Sequence, residues 1–503
     1  MRLFSTKRNQ YKPSILGASF LLLLMVVIGF VLPGCMVGPK YSRPQTAADA
    51  NEPYFHAGTH EQDVNAFDGI ERWWERFGDE TTAMLVGRML ESNYDLKASA
   101  ARVLQAEATL AGAFGRRLPD VSYGISRDRS KRSFNFGGRF SVISETWTQG
   151  VSVGYILDLF GKLRRSERAA WAQVLAAQAN RQTLINSMIA TVINARIDIA
   201  TTQRRLAIAK ANTKSRRDTL AIVERRYSEG LVGPVDVRLA RENLEAARAL
   251  EPSIELSLAK AHHALDVLLA RRPGGSDRLP ETLPDLPDLD PLPIGLPGSL
   301  LDRRPDVIAA ELSLRAANEE IGVSIAQLFP DLTLTANFGG SADRWRDIWK
   351  HSAETYSLLF NFTGPIFKGG QLRAQIKAAK ARFAELAANY GQTVLTAIRE
   401  VEDALVTEQM LQSELEHTQL RLNEARAAEN LSKDRYQRGV ETILSVLESE
   451  RRRRTAEEQL TILKGQIWTT RVNLHLALGG DWNYQDESET NGRKNGKMQN
   501  EQN

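Results

Sequence analysis

The only cysteine of the chain, Cys35, lies where a lipid attachment would be expected. It follows a basic head, an apolar run over residues 15–32 and the small-residue junction Pro33-Gly34, which is the pattern of a secretory signal. A lone cysteine cannot close an internal disulfide in the oxidising compartment to which such a signal leads. We therefore predict a signal peptide over residues 1–34 and lipidation of Cys35, in preference to a buried or incidental thiol.

The sequence contains no residue pattern typical of a catalytic or metal-binding centre. It lacks a phosphate-cradling glycine loop, a Gly-x-Ser-x-Gly elbow and a His-Glu-x-x-His helix. His56 and His60 are four residues apart without a third ligand, and the adjacent His262 and His263 point to different sides of a helix. We therefore predict that the protein has no enzymatic activity and binds neither a metal nor a cofactor.

Two short turns between helices have clearer local roles. The first turn ends one helix with glycine and begins the next with proline, followed by a carboxylate in the first helical turn. Its residues are Gly230, Leu231, Val232, Gly233, Pro234 and Asp236. The second turn contains Gly439 and Val440, and Thr442 is the expected N-cap of the helix that follows.

One helical face follows the second turn. Leu444, Glu448 and Arg451 are spaced i, i+4 and i+7, so they lie on the same side of a helix. Spacing alone favours an ordinary apolar contact beside a solvent-exposed ion pair.

The charge balance excludes a nucleic-acid-binding surface. The formal net charge is +4, but four lysines and arginines and no acidic residues lie in residues 1–34, so the remaining chain is formally neutral. Beyond the signal, no apolar run approaches the roughly 20 residues of a membrane-spanning helix. A mature chain that crosses a membrane must therefore do so as a β-barrel.

The chain contains an internal repeat with a period of roughly 210 residues. Leu118-Pro119-Asp120 matches Phe329-Pro330-Asp331, and Tyr227-Ser228-Glu229-Gly230 matches Tyr436-Gln437-Arg438-Gly439. Each copy is predicted to contain a moderate helix, two strands, a very long helix and a further helix. The predicted helices cover about 81–116, 163–229 and 234–271 in the first copy, and about 305–328, 371–438 and 443–478 in the second. The long helices would span roughly 100 Å, which suits a coiled-coil shaft.

The strand-like segments alternate between apolar and small polar residues. Examples begin at Val121, Val151, Leu332 and Tyr356. Two soluble hairpins and lipid-facing strands explain the alternation equally well. Four strands cannot close a membrane barrel, and an open sheet edge is not viable in lipid. Either the sheet is soluble or several chains share one barrel, in which case three chains would supply twelve strands.

These features predict six segments. They are a signal peptide (1–34), a lipidated N-terminal segment (35–80), a first structural repeat (81–271), a Pro-rich linker (272–304), a second structural repeat (305–480) and a polar tail (481–503). The predicted fold class is mainly α with membrane β.

These residues make the chain resemble the TolC-like outer membrane efflux family. Within that family it resembles the lipoprotein branch that serves RND-type pumps (OprM- and NodT-like). The resemblance covers nearly all of residues 35–480. It depends on ordered motifs: CMVGPKY at 35–41, WWERFGD at 73–79, NYDL at 93–96, LLDRRPDV at 300–307 and FP at 329–330.

The resemblance implies a homotrimer with a twelve-stranded barrel in the outer membrane and a long α-helical coiled-coil barrel in the periplasm. It implies that the two turns form a nearly closed periplasmic tip, where Leu444 supplies an apolar ring, Glu448 an acidic ring and Arg451 an ion-pair partner. Relatives often have Asp in place of Glu448. A periplasmic adaptor would contact the turns, and a proton-driven inner-membrane pump would supply the energy. Loops near 129–139 and 343–352 would face the outer leaflet.

Other classes of function remain open at the level of sequence. One is an outer-membrane duct for ATP-driven protein export. The predicted lipid-attachment motif at Cys35 and the Arg304-Pro305 motif disfavour this function. Another is a non-porous, lipid-anchored periplasmic coiled-coil scaffold, which requires the strands to be soluble. A periplasmic enzyme has no supporting constellation.

Overall fold

The computed structural model describes residues 36–50, 52–58, 72–135, 138–275, 279–280, 283 and 294–480. Cys35, His60, the signal peptide, most of the Pro-rich linker and the polar tail lie outside these residues. Packing divides the chain into two units. The sheet unit includes Ala106–Val174 and Ser313–Leu386, and the hairpin unit includes Arg43–Gln105, Leu175–Leu312 and Ala387 onward.

Helices dominate the described chain, and their order is the same in both copies. The first copy contains α1 (Glu80–Ser92), α2 (Tyr94–Gly115), α3 (Lys162–Ser228) and α4 (Pro234–Leu268). The second contains α5 (Leu300–Arg303), α6 (Pro305–Ala326), α7 (Gln371–Gln437) and α8 (Ile443–Ala477). The two long helices, α3 and α7, have 67 residues each. None of the described helices is long and apolar enough to cross a membrane.

The first predicted helix is in fact two helices. Asn93 has an extended ψ of 131° and separates α1 from α2. Its side chain accepts hydrogen bonds from the amides of Asp95 and Leu96, so it caps the first turn of α2. The other predicted helices end within about three residues of the observed ends, which is the usual uncertainty of helix boundaries. Pro252 lies inside α4, where it removes one backbone hydrogen bond without ending the helix.

Four antiparallel strands form one sheet in the order β1-β2-β3-β4. They are β1 (Asp120–Asn135), β2 (Arg139–Leu157), β3 (Asp331–Ala342) and β4 (Glu354–Thr363). The register places Tyr123 opposite Val151 and Val151 opposite Phe338. Since directly opposed residues share a face, Tyr123, Val151 and Phe338 lie on one side of the sheet with the apolar residues that alternate from them, whereas Phe134, Ile156 and Leu359 lie on the other. β1 and β2 continue well into the region predicted as an outer loop, up to Asn135 and from Arg139.

The start of the described chain is held inside the sheet unit. The amide of Val37 donates to the carbonyl of Phe160, and buried Arg165 donates to the carbonyl of Pro39 and pairs with Glu319 at 2.9 Å. A Cβ atom on Gly38 would lie 2.8 Å from the Cα atom of Gly322, so this close approach requires glycine. The CMVGPKY motif is thus a packing motif beyond its first residue.

The Arg304-Pro305 motif joins the start of the second copy to the C-terminal end of α8 within the hairpin unit. Buried Arg304 donates to the carbonyl of Ala477 and forms ion pairs with Asp306 and Glu400 at 2.7 and 2.8 Å. Pro305 begins α6 at a position where no amide hydrogen bond is lost. An arginine fork is well suited to this site because it satisfies a carbonyl and two carboxylates together.

Candidate functional site

Two helical hairpins lie side by side in the hairpin unit, one formed by α3 and α4 and the other by α7 and α8. Each long helix ends in a Schellman motif with glycine in the left-handed region. In the first, Gly230 has φ 71° and the amide of Leu231 donates to the carbonyl of Arg226. In the second, Gly439 has φ 77° and the amide of Val440 donates to the carbonyl of Arg435.

A small apolar core holds the hairpin ends together. Its buried members from both hairpins are Val223, Val237, Ala240, Tyr436, Ile443, Val446 and Leu447. Arg226 adds a polar link, because it donates to the carbonyls of Tyr436 and Gln437 and stacks over the Tyr436 ring at 4.9 Å. Burial raises the pKa of the Tyr436 hydroxyl, which therefore stays protonated. The two turns are thus fixed to each other within one chain.

Apolar side chains are also exposed at both turns. Leu231 and Val235 are exposed in the first hairpin, and Val440 and Leu444 are exposed in the second. Leu444 is 60% exposed although it lies next to the buried Ile443. Clustered exposed apolar residues at paired helix ends are typical of a surface that contacts another protein.

The structure places Leu444, Glu448 and Arg451 together on the exposed face of α8. The opposite face carries the buried Val446, Leu447 and Glu450. Glu448 accepts hydrogen bonds from Arg451 at 2.7 and 2.8 Å and from Arg452 at 2.8 Å. These hydrogen bonds from Arg451 and Arg452 lower the pKa of Glu448 to about 2, so its carboxylate remains charged across the physiological range.

The sequence did not single out Arg452, which the structure places on the Glu448 carboxylate. Sequence reasoning also missed a buried charge cluster that connects three helices near the turns. Glu450 of α8 is 1% exposed, pairs with Arg216 of α3 at 2.7 Å and accepts from Lys433 of α7 at 3.0 Å. Lys433 also pairs with Glu429 at 2.7 Å. The sequence offered one signal for this cluster, because Glu450 lies on the apolar stripe of Ile443, Val446 and Leu447.

The cluster contains three cations and three anions. Arg453 extends it by contacting Glu429 and pairing with Glu457 at 2.6 Å. Burial alone would lower the pKa of Lys433, but its hydrogen bonds and charge interactions with Glu429 and Glu450 outweigh burial and raise it. Burial lowers the pKa of Arg216, partly offset by Glu450.

Histidines and acidic residues do not assemble into a metal site in the described part of the chain. His56 is paired with Glu402 at 2.9 Å, which joins the N-terminal segment to α7 within the hairpin unit. His262 and His263 lie within α4.

The described chain thus combines long paired helices that end in capped turns with a four-stranded sheet. The sequence profile of the outer membrane efflux protein family matches residues 85–271 and 296–480, and the chain belongs to that family.

Relatives support the assignment over nearly the whole length. The chain is 32% identical over 431 residues to the pyoverdine export outer membrane protein OpmQ of Pseudomonas aeruginosa, covering 82% of this chain and 88% of that protein. It is 30% identical over 464 residues to the outer membrane protein OprJ of the same species, covering 91% and 95%. The solved outer-membrane channel OprN superimposes with a TM-score of 0.83 at 31% identity, over 90% of this chain and all of that one.

The predicted fold class, family and outer-membrane location are therefore confirmed, and the protein is an outer-membrane efflux channel of the TolC-like type. The division into six segments and the roles of individual residues at the turns stay predictions.

Proposed function

We propose that this protein is the passive exit duct of a tripartite RND-type efflux system and catalyses no reaction. Three copies would each contribute the four-stranded sheet to one shared barrel in the outer membrane, with the hairpins in the periplasm. The observation that carries the proposal is the pair of joined hairpins with an exposed face of one apolar and three charged side chains, Leu444, Glu448, Arg451 and Arg452. The predicted anchor, Cys35, would hold the mature chain to outer-membrane lipid.

The exposed face of α8 would line the narrowest point of the duct. In a threefold assembly, Leu444 would form an apolar ring that disfavours water and ions, and Glu448 would form an acidic ring. The two arginines beside Glu448 more than neutralise its charge within each copy, which limits repulsion between the three carboxylates when the tip is closed. The charged side chains at the tip are therefore compatible with a closed resting state.

A periplasmic adaptor would contact the two turns. The surface in question contains the exposed Leu231 and Val235 of the first turn and Val440 of the second. The contact would shift the hairpins apart only if it binds the open tip more tightly than the closed one. An inner-membrane RND pump would then deliver substrate to the duct.

Single-channel conductance in planar bilayers tests the gate directly. We expect the Leu444→Ala/Glu448→Ala double variant to give uniform current steps larger than those of wild type, because it removes both rings. A matched control is Leu256→Ala/Glu245→Ala, which truncates an exposed leucine and an exposed glutamate of α4. Equal steps in all three proteins would place the gate elsewhere, and no steps from folded variant protein would refute the duct.

The low pKa of Glu448 predicts that the ion selectivity of the channel resists acid. The group is ionised above its pKa, so selectivity measured by reversal potential in the wild type should be unchanged from pH 7 to pH 4. In an Arg451→Gln/Arg452→Gln variant both donors are lost, and the titration midpoint should rise toward the ordinary glutamate value of about 4.3. The titration midpoints of the two proteins are compared, and not their selectivities, because removing the two arginine cations changes the selectivity at every pH.

Arg438→Gln is the control for this titration, since Arg438 pairs with exposed Asp434 near the same turn. Its midpoint should match that of the wild type. A wild-type midpoint near 4.3 would show that the two arginines do not hold the Glu448 carboxylate in the assembled channel.

A further inference from the structure

A groove between α2 and α3 lies in the sheet unit, next to the start of β1. It has a volume of about 580 Å³, which is in the range of pockets that hold small molecules. The lining residues of each helix are spaced i, i+3, i+4 and i+7, so each helix turns one face toward the groove. They are Glu107, Leu110, Ala111 and Phe114 of α2, Arg117 just after it, and Arg164, Glu167, Arg168 and Trp171 of α3.

Two large apolar side chains of the groove are exposed. Phe114 and Trp171 are each 47% exposed, one on either helix. Tryptophan is enriched where a membrane meets water, because its ring is apolar while its N–H group needs a polar partner. The groove therefore offers apolar contacts to a ligand that reaches it from a membrane.

The basic end of the groove is the end closest to the sheet. Arg117 precedes Asp120, the first residue of β1, by three positions, and Arg164 follows Gly161 by three. At 1.5 Å per residue, Arg164 and Arg168 lie roughly 5 and 10 Å from Gly161 along α3. The headgroup layer of a bilayer is roughly 5–8 Å thick, and an arginine side chain is long enough to reach back across the difference. With the sheet in a membrane, these guanidinium groups would lie at headgroup depth.

The predicted lipid anchor marks the same level. The amide of Val37 donates to the carbonyl of Phe160, and a Cβ atom on Gly161 would lie 3.1 Å from the Cα atom of Met36. The N-terminal segment is therefore packed where β2 leads into α3. A lipid on Cys35, the residue before Met36, would enter the membrane beside this junction.

The charges of the groove favour an anion. Three arginines and two glutamates line it, which gives a formal charge of +1. Arg117 pairs with Glu167, and Arg164 pairs with Asp158 at 3.4 Å. Arg168 is exposed and forms no ion pair with the residues that the structure describes. Its guanidinium group can therefore bind a phosphate without breaking an existing pair.

We propose that the groove binds the headgroup of an anionic phospholipid from the periplasmic leaflet of the outer membrane. Its phosphate binds Arg168, and its glycerol and first methylene groups pack against Phe114 and Trp171. Basic pockets between helices at a membrane recognise such headgroups, and arginine forms two parallel hydrogen bonds to one phosphate. The inference rests on the proposed placement of the sheet in the membrane. It adds three lipid sites to the trimer, which would hold the junction of sheet and helices at the membrane surface.

Native mass spectrometry of the purified trimer in mild detergent, titrated with phosphatidylglycerol, tests the site. We expect up to three bound lipids per trimer in the wild type. The dissociation constant should be at least tenfold larger in Arg168→Gln, because this change removes the guanidinium group that has no other partner. Arg181→Gln should bind as the wild type does, since Arg181 is also exposed on α3 but lies outside the groove. Equal affinities in all three proteins, or an equal loss in both variants, would overturn the site.

The apolar contacts have a separate readout. Phe114→Ala should also weaken phosphatidylglycerol binding about tenfold, whereas Tyr94→Ala should not, because Tyr94 is a 72% exposed aromatic residue of α2 outside the groove. Glycerol 3-phosphate has the phosphate without acyl chains and should bind the wild type at least 100-fold more weakly than the lipid. Binding of glycerol 3-phosphate as tight as that of the lipid would overturn a lipid site. Phosphatidylcholine that binds as tightly as phosphatidylglycerol would overturn the selection for an anion.

Single-channel conductance of the same wild-type preparation separates this site from the duct. Channels that conduct but bind no phosphatidylglycerol would overturn the lipid site and leave the duct intact. Trimers that bind the lipid through Arg168 and Phe114 but never conduct would support the lipid site and refute the duct.

Discussion

Alanine in place of Glu450 should raise the exchange rate of backbone amides in both hairpin ends roughly 100-fold or more, corresponding to about 3 kcal/mol. Glu450 is the carboxylate that Arg216 and Lys433 share inside the hairpin unit, and hydroxyl groups of Ser215 and Thr219 also donate to it. Removing it leaves the buried Arg216 and the partly buried Lys433 near each other with fewer acceptors. Breaking one side of a buried ion pair costs far more than the pair itself contributes.

The location of the loss distinguishes this effect from general destabilisation. Glu450, Arg216 and Lys433 come from α8, α3 and α7, so amides on all three helices near the turns should lose protection together. Hydrogen–deuterium exchange with mass spectrometry resolves these segments. Protection in α1 and in the sheet should be unchanged, because neither contributes to the cluster.

Glu245→Ala is the matched control, since Glu245 forms an exposed i,i+3 pair with Arg248 at 2.7 Å on α4. An exposed pair contributes at most about 1 kcal/mol, so exchange there should change by less than tenfold. Equal, small effects of the two substitutions would mean that water reaches Arg216 and Lys433 once Glu450 is gone. The cluster would then contribute little to holding the hairpins together.

The long helices were predictable from sequence because their signal is long and uniform. Helix α3 was predicted over 163–229 and observed over Lys162–Ser228, since glycine at 230 and the Ala-, Leu- and Arg-rich run both specify it. The break at Asn93 was missed because the helical pattern continues on both sides. Only the side-chain cap to Asp95 and Leu96 shows that Asn93 begins a new helix.

The parts of β1 and β2 nearest the connection between them could not be predicted from alternation, because residues 127–135 contain little apolar surface. Cross-strand contacts stabilise them instead: Arg127 pairs with Glu145 and stacks over Trp147, and Ser126 bonds to Thr148. Partners of this kind are defined by register, which is known only once the strands are paired. The cluster at Glu450 was missed for the same reason, because its partner Arg216 is 234 residues away in sequence.

Alanine in place of Gly339 should strongly lower the amount of folded protein in the outer membrane. A Cβ atom at this position would lie 2.0 Å from the carbonyl oxygen of Gln149 and 2.6 Å from the Cα atom of Gly150 on the neighbouring strand. Both are backbone atoms, so no rotamer change can relieve the clash. Since Gly150 is opposite Gly339, β2 and β3 would have to separate at the centre of the sheet, at a cost of about 3 kcal/mol.

Gly154→Ala is the control in the same strand pair, because a Cβ atom there would meet nothing within 4 Å. It adds the same methyl group to β2, four residues from Gly150, and should accumulate as folded protein at the wild-type level. Heat-modifiable migration on SDS gels, with surface protease resistance as a second measure, reports the folded fraction. Equal loss in both variants would show that the sheet rejects any added methyl group, and the close approach of Gly150 and Gly339 would not be the cause.

The position of Gly339 explains why the effect should extend beyond one strand pair. Its neighbour Gly340 is also closely approached, since a Cβ atom there would lie 2.1 Å from the carbonyl oxygen of Ile348 in the segment between β3 and β4. β3 is therefore in close backbone contact on both sides, with β2 through Gly339 and with the β3–β4 connection through Gly340. Displacing β3 would also move β4, which pairs with β3 from Asp331 opposite Thr363 to Gly340 opposite Glu354. Gly339→Ala should therefore lower the protease resistance of β2, β3 and β4 together.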